Sequence, residues 1–206
     1  MAVDMEAVED SKIWEELAGD ASPLSWFVVG QKAGSNEMEV KARGDGDLDE
    51  LKAALKPDQL LQGAFRVDGV DERGGVTSRR CKLIAFNWAG PDVPGMVRAR
   101  SRGNVTAVLK YMSGHHIKME LEALDELSES LVIDELLRVG GAHKPARYEF
   151  GSAGRVAAGG THGVSGGKKA ADKPERKDSA SSGELELPKE GAAAGAGEEA
   201  AATTTD

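Results

Sequence analysis

Seven cations stand close enough in the sequence to meet an anionic partner together. Arg79, Arg80 and Lys82 fall within four residues, and the segment 96–112 carries Arg98, Arg100, Arg102 and Lys110. The chain has 206 residues and a formal net charge of −9. That balance argues against general affinity for nucleic acid, which needs basic surface to displace counterions. An anionic partner must therefore be met by a local basic patch, and these residues are the candidates.

Catalytic chemistry finds less support. His115 and His116 are adjacent, so on a strand they point to opposite faces and share no metal ion. Cys81 is the single cysteine, has no evident base beside it and sits in an apolar run. The stretch from Gly159 to Lys169 is rich in glycine and ends in two lysines. It lacks the first glycine of a phosphate loop, a hydroxyl residue after the lysine, and a preceding strand. The reading is of a protein without a catalytic site, metal or cofactor. With one cysteine, no secretory leader and no apolar run near spanning length, it is expected in a reducing, cytoplasmic setting, without membrane insertion.

The elements that must position the cations follow from periodicity. Cys81 to Trp88 is an apolar run ended by Gly90, which predicts a strand buried on both faces, in the middle of a sheet, with Arg79, Arg80 and Lys82 at its mouth. Residues 25–31 predict a second buried strand. Residues 37–43 alternate apolar and charged side chains, as a strand with one wet face does. Residues 60–67 are a further strand, followed by a polar loop over 68–78. Helices are predicted over residues 6–18, from an Asp47 cap to Pro57, over 96–112 with a kink or new cap near Asn104, and over 124–139. Ile117, Met119 and Leu121 mark the last strand. The sum is an α/β (α+β) fold, a mixed sheet of about five strands sandwiched between helices. From Gly151 the chain is Gly, Ala, Ser, Thr, Lys and Glu without an aromatic residue, and reads as a disordered tail over 151–206. Its basic part, Lys168 to Lys177, precedes an acidic end. It reads as a solubilising extension, or as a weak additional contact through the basic part.

Three stretches together resemble a known family. Ser25-Trp26-Phe27-Val28-Val29 follows a helix ending in Gly19-Asp20. Arg79-Arg80-Cys81-Lys82 leads a strand ending Trp88-Ala89-Gly90, with Val93, Gly95 and Arg98 spaced behind it. The final helix closes Glu135-Leu136-Leu137-Arg138-Val139-Gly140-Gly141. Over residues 5–148 the chain resembles the actin-depolymerising-factor (ADF/cofilin) homology domain, most of all its coactosin group. The resemblance implies a monomeric, non-enzymatic protein that binds the sides of actin filaments and is associated with the cytoskeleton. It puts the filament-contacting lysine at Lys82, a neighbouring basic position at Arg80, and the contact helix at 96–112. It also puts at Arg138 a position linked to binding a cytosolic lipoxygenase, where a lysine is the expected residue; arginine keeps the charge but changes the geometry. Two other readings stand beside it: an adaptor for such an enzyme through the last helix, and a cofilin-like monomer-binding or severing protein.

Overall fold

The computed structural model of the chain describes residues 3–141 and 144–158. The readings placed on residues 159–206, including the basic Lys168 to Lys177 segment, lie outside the described residues.

Chain order runs α1 (Glu6–Asp10), α2 (Ile13–Ala18), β1 (Trp26–Gln31), β2 (Met38–Gly44), α3 (Leu48–Ala54), β3 (Leu60–Arg73) and β4 (Val76–Ala89). It continues with α4 (Gly95–Arg100), α5 (Arg102–Tyr111), β5 (Ile117–Leu121), α6 (Glu129–Val139), β6 (Arg147–Phe150) and α7 (Ala153–Ala158). The strands form one mixed sheet in the order β2-β1-β3-β4-β5, with β6 also paired to β3. Only β4 and β5 are parallel, because a helical crossover through α4 and α5 separates them. The middle position belongs to β3 rather than to β4, which lies one strand from the edge.

Alternation along the central strands divides the core in two. Trp26, Val28, Phe65, Ile84, Phe86 and Trp88 face α3 and α6, packing on Leu51, Val132 and Leu136. Phe27, Val29, Ala64, Leu83 and Ala85 face the other side, packing on Val8, Ile13 and Leu17 of α1 and α2 and on Val108 of α5. Helices on both faces explain why these strands read as continuous apolar runs. Each fully buried large side chain contributes about 1.5–3 kcal/mol.

The helix expected over 6–18 is interrupted at Lys12, the one described non-glycine residue with positive φ (50°). The break turns Ile13, Trp14 and Leu17 inward alongside Val8. The Tyr111 hydroxyl accepts from the Trp14 N–H at 3.2 Å, filling one of the donors that the new helix start leaves open. At α3, Asp47 accepts from the N–H groups of Asp49 and Glu50. The Glu50 carboxylate reaches back to accept from Gly46 N–H at 2.7 Å and from Trp26 Nε1 at 2.8 Å. Glu50→Ala should therefore lower stability by about 1–3 kcal/mol, because the buried indole N–H loses its acceptor. Glu50→Gln, which keeps a carbonyl oxygen there, should recover most of the loss in urea unfolding.

The polar loop expected over 68–78 is instead a β-hairpin. β3 and β4 pair without interruption from Leu60↔Ala89 to Arg73↔Val76. The two-residue turn is Gly74-Gly75, with φ of 58° and 80°, the conformation that a tight hairpin needs and glycine supplies. The last helix starts at Glu129 rather than at Leu124. Leu124–Glu126 is a 3₁₀ turn, and Ser128 caps α6 by accepting from Leu131 N–H.

A sixth strand and a seventh helix stand where the sequence reading placed the domain end at 148 and the tail start at 151. β6 pairs antiparallel with Val67–Val70, on the stretch of the β3 edge that β1 leaves free beyond Phe65. α7 then carries Arg155 into a nearly water-free seam. Its guanidinium donates to Leu24 O at 2.9 Å, Ser25 Oγ at 2.8 Å and Asp68 Oδ2 at 3.4 Å. Asp68 also accepts from Arg66 Nε at 2.8 Å. The Gly- and Ala-rich composition of residues 151–158 hid a segment ordered by one buried charge network rather than by a large apolar face.

Candidate functional site

β4 carries the first group of cations, and strand geometry separates them. Arg80 and Lys82 alternate with Ile84, Phe86 and Trp88, so they lie on the side of the sheet that holds α3 and α6. Arg79 alternates with Leu83 and Ala85 and lies on the other side. Arg80 is exposed and Lys82 half-buried, and among the described residues neither side chain makes an ion pair or hydrogen bond. β5 pairs with β4 only from Ile84 onward, so the stretch ahead of it reaches past the sheet edge. Arg79 is committed internally: its Nη1 donates to Glu149 Oε2 at 2.6 Å. Partial burial pushes the Glu149 carboxyl up, but Arg79 and Arg147, which donates to its Oε1 at 2.9 Å, together hold it below the usual carboxylate value.

His116 links this stretch to β5. Its Nδ1 accepts from Leu83 N–H at 3.0 Å, while its own backbone N–H donates to Leu83 O at 2.7 Å. Burial, and then the nearby Lys82 ammonium, hold the imidazole below its ordinary value. Because the folded protein binds this proton less readily than the unfolded chain, the stability His116 contributes is complete above about pH 6.5 and declines as the pH falls below it. His116→Asn, which can keep the acceptor, should flatten that part of the profile. Urea midpoints at pH 7.5 and 5.5 for both proteins measure it. His115 turns its Nδ1 toward Met112 O at 2.8 Å, so the two histidines serve separate backbone contacts. Among the described residues there is no cluster of His, Cys, Asp or Glu suited to a metal ion. The Cys81 thiol, half-buried against the α5 side, is raised by burial and so is not a ready nucleophile.

The second group sits on the crossover helices. α4 has no buried residue and exposes Met96 (67%) and Val97 (47%). The kink falls at Ser101, three residues before the expected Asn104; the Ser101 hydroxyl donates to Arg98 O at 2.8 Å, a local bond that bends helices. α5 seats Val108 and Met112 against the core. Arg100, Arg102 and Lys110 are exposed, and among the described residues their side chains have no partner. Arg98 is different. It donates to Val93 O at 3.1 Å and to Gly90 O at 2.9 Å, and pairs with Glu122 at 3.3 Å, so it ties down the loop before α4. Arg138, in the last turn of α6, is exposed and held by Glu135 one turn earlier.

The seven cations thus do not make one patch. Arg80 and Lys82 lie toward one face of the sheet, α5 packs on the other, and Arg79 and Arg98 are engaged internally. Sequence reasoning missed the exposed pair Met96 and Val97. Its signal was present: two apolar residues directly after Pro94-Gly95 that fall outside the Val105, Val108 and Met112 stripe.

A family profile described as cofilin/tropomyosin-type actin-binding protein matches residues 2–137. Coactosin of Entamoeba histolytica is 33% identical over 132 residues, 62% of this chain and 84% of that protein. The drebrin-like protein of Mus musculus is 22% identical over 124 residues, 60% of this chain but 27% of that protein, so the chain spans about a quarter of that relative. Among solved structures, the crystal structure of the Entamoeba coactosin superposes with a TM-score of 0.53 at 27% identity, covering 61% of this chain and 89% of that one. The solution structure of mouse coactosin, an actin filament binding protein, gives a TM-score of 0.53 at 22% identity over 69% and 94%. No helix among the described residues is long and apolar enough to cross a membrane.

Proposed function

The chain belongs to the cofilin/tropomyosin-type actin-binding family, and from that premise we propose that it binds the sides of actin filaments without enzymatic activity. Lys82 and Arg80 on the hairpin make one contact, and Arg100, Arg102 and Lys110 on the kinked α4–α5 pair make the other. The observation that carries this reading is that these five cations have no internal partner among the described residues, whereas Arg79, Arg98 and Arg138 do. In a chain with net charge −9, long cations left unpaired on two projecting elements are suited to an acidic partner. Arg98 is assigned a supporting role, holding α4 in place, and Met96 and Val97 add an apolar contact beside Arg100. The choice of filament over monomer rests on the likeness to coactosins, one of which is itself an actin filament binding protein. High-speed sedimentation with filaments, beside a binding assay on monomeric actin, tests the proposal. Pelleting with filaments that weakens as salt rises supports it. Binding to monomer alone would instead favour a cofilin-like role.

A further inference from the structure

β6 and α7 lie beyond residues 2–137 that match the family profile, and they close over one cation of the basic strand. We propose that this segment is a releasable clasp that hides Arg79 from the partner. The inference rests on the reading that actin filaments are that partner.

Three observations carry it. Glu149 of β6 takes the Arg79 guanidinium at 2.6 Å across the width of β3. α7 lies directly on the pair: a Cβ at Gly154 would strike the Glu149 carboxylate and lie 3.0 Å from Arg79 Nη2. Arg79 Nε is buried without a hydrogen-bond partner among the described residues, so the enclosure leaves part of its donor set unused. A guanidinium kept only to tie the fold would be expected to use its whole fork. The cover is partial, with 22% of the Arg79 side chain exposed, and it falls on Nε and on the face of the guanidinium toward Gly154.

The clasp is also built to open. β6 has four residues and α7 six, and Arg155 is the side chain that pins α7 into the seam. Once Arg155 leaves the seam, elements this short can open locally without unfolding the whole domain. With the clasp open, Arg79 gains freedom on the sheet side where α5 packs, the helix that presents Lys110 and Arg102.

The test labels arginines in the full chain with phenylglyoxal, quantified residue by residue by mass spectrometry, with exposed Arg80 as the internal reference. In the wild-type protein Arg79 should react at least roughly tenfold more slowly than Arg80, as a group behind a local opening does. Glu149→Ala removes its partner, and Gly154→Val displaces the Glu149 carboxylate that its Cβ would strike; either should bring Arg79 toward the rate of Arg80. Thermal unfolding confirms that each variant is folded, and the two act at different residues, so failure of one to fold leaves the other. Both variants should pellet with filaments roughly three- to tenfold more tightly, the size of one added charge-assisted contact. Arg79→Ala in the same background should abolish that gain. Equal labelling of Arg79 and Arg80 in the wild type would overturn the masking. Exposed Arg79 with unchanged filament affinity would overturn its bearing on the partner. A wild type and variants that all fail to pellet, with the labelling contrast intact, would overturn the filament reading and leave the clasp standing without that partner.

Discussion

Asp68→Ala will be among the most destabilising single substitutions in the domain, losing about 3–5 kcal/mol, the cost of stripping the partner from buried charge. Asp68 is 1% exposed, Arg66 4% and Arg155 6%, so all three charges lie in the seam where β1 ends and β6 begins along β3. The two Asp68 oxygens divide the work: Oδ1 accepts from Arg66 Nε at 2.8 Å and Oδ2 from Arg155 Nη1 at 3.4 Å. Burial and the neighbouring Arg66 already pull Arg155 below its ordinary value. Without the carboxylate, two guanidiniums would face each other with nothing between them. Asp68→Asn keeps the shape and one acceptor and should cost less. Arg155→Met leaves the Arg66–Asp68 pair in place, so its loss should be smaller than that of Asp68→Ala. Truncation after Gly151 removes the same guanidinium and should resemble Arg155→Met. Urea unfolding followed by tryptophan fluorescence measures the series, since two of the three tryptophans, Trp26 and Trp88, flank the sheet core. A loss below about 1 kcal/mol for Asp68→Ala would mean that water reaches the seam.

The second large effect concerns the partner. Lys82→Ala should weaken filament binding about tenfold, equivalent to ~1.4 kcal/mol, with little change in stability. Lys82 is half-buried at the point where β4 leaves the cover of β5, and among the described residues its ammonium has no partner. Nothing inside the fold is left unsatisfied when it is removed, in contrast to Asp68. Arg98→Ala should behave in the opposite way. It removes donors to Val93 O and Gly90 O, so any loss of filament binding should come with a lower thermal midpoint. That split separates a contact residue from one that positions α4.

Much of this was legible in the residues. The apolar runs of β1 and β4 and the alternation of Met38, Val40 and Ala42 placed those strands, because period-two patterning is local and strong. The break in the long crossover helix was anticipated within three residues, since Ser101, Gly103 and Asn104 all disfavour helix interior. The hairpin over 68–78 was not legible. Asp68 and Asp71 look like loop residues until their partners are known, and Arg155 lies 87 residues from Asp68 in sequence. Local propensity carries no record of such a partner. The same blindness grouped Arg79 with Arg80 and Lys82. Their adjacency was plain, but Glu149, which engages Arg79, stands 70 residues downstream. The site was thus legible as a set of cations and not as a division of labour among them.

Sedimentation with actin filaments at low salt, comparing the wild-type chain with the double variant Arg80→Ala, Lys82→Ala, tests the central claim most directly. The wild type should pellet with the filaments, and the double variant should stay largely in the supernatant while keeping the wild-type thermal midpoint. A double variant that pellets as fully as the wild type would contradict the claim that the β4 cations carry the filament contact.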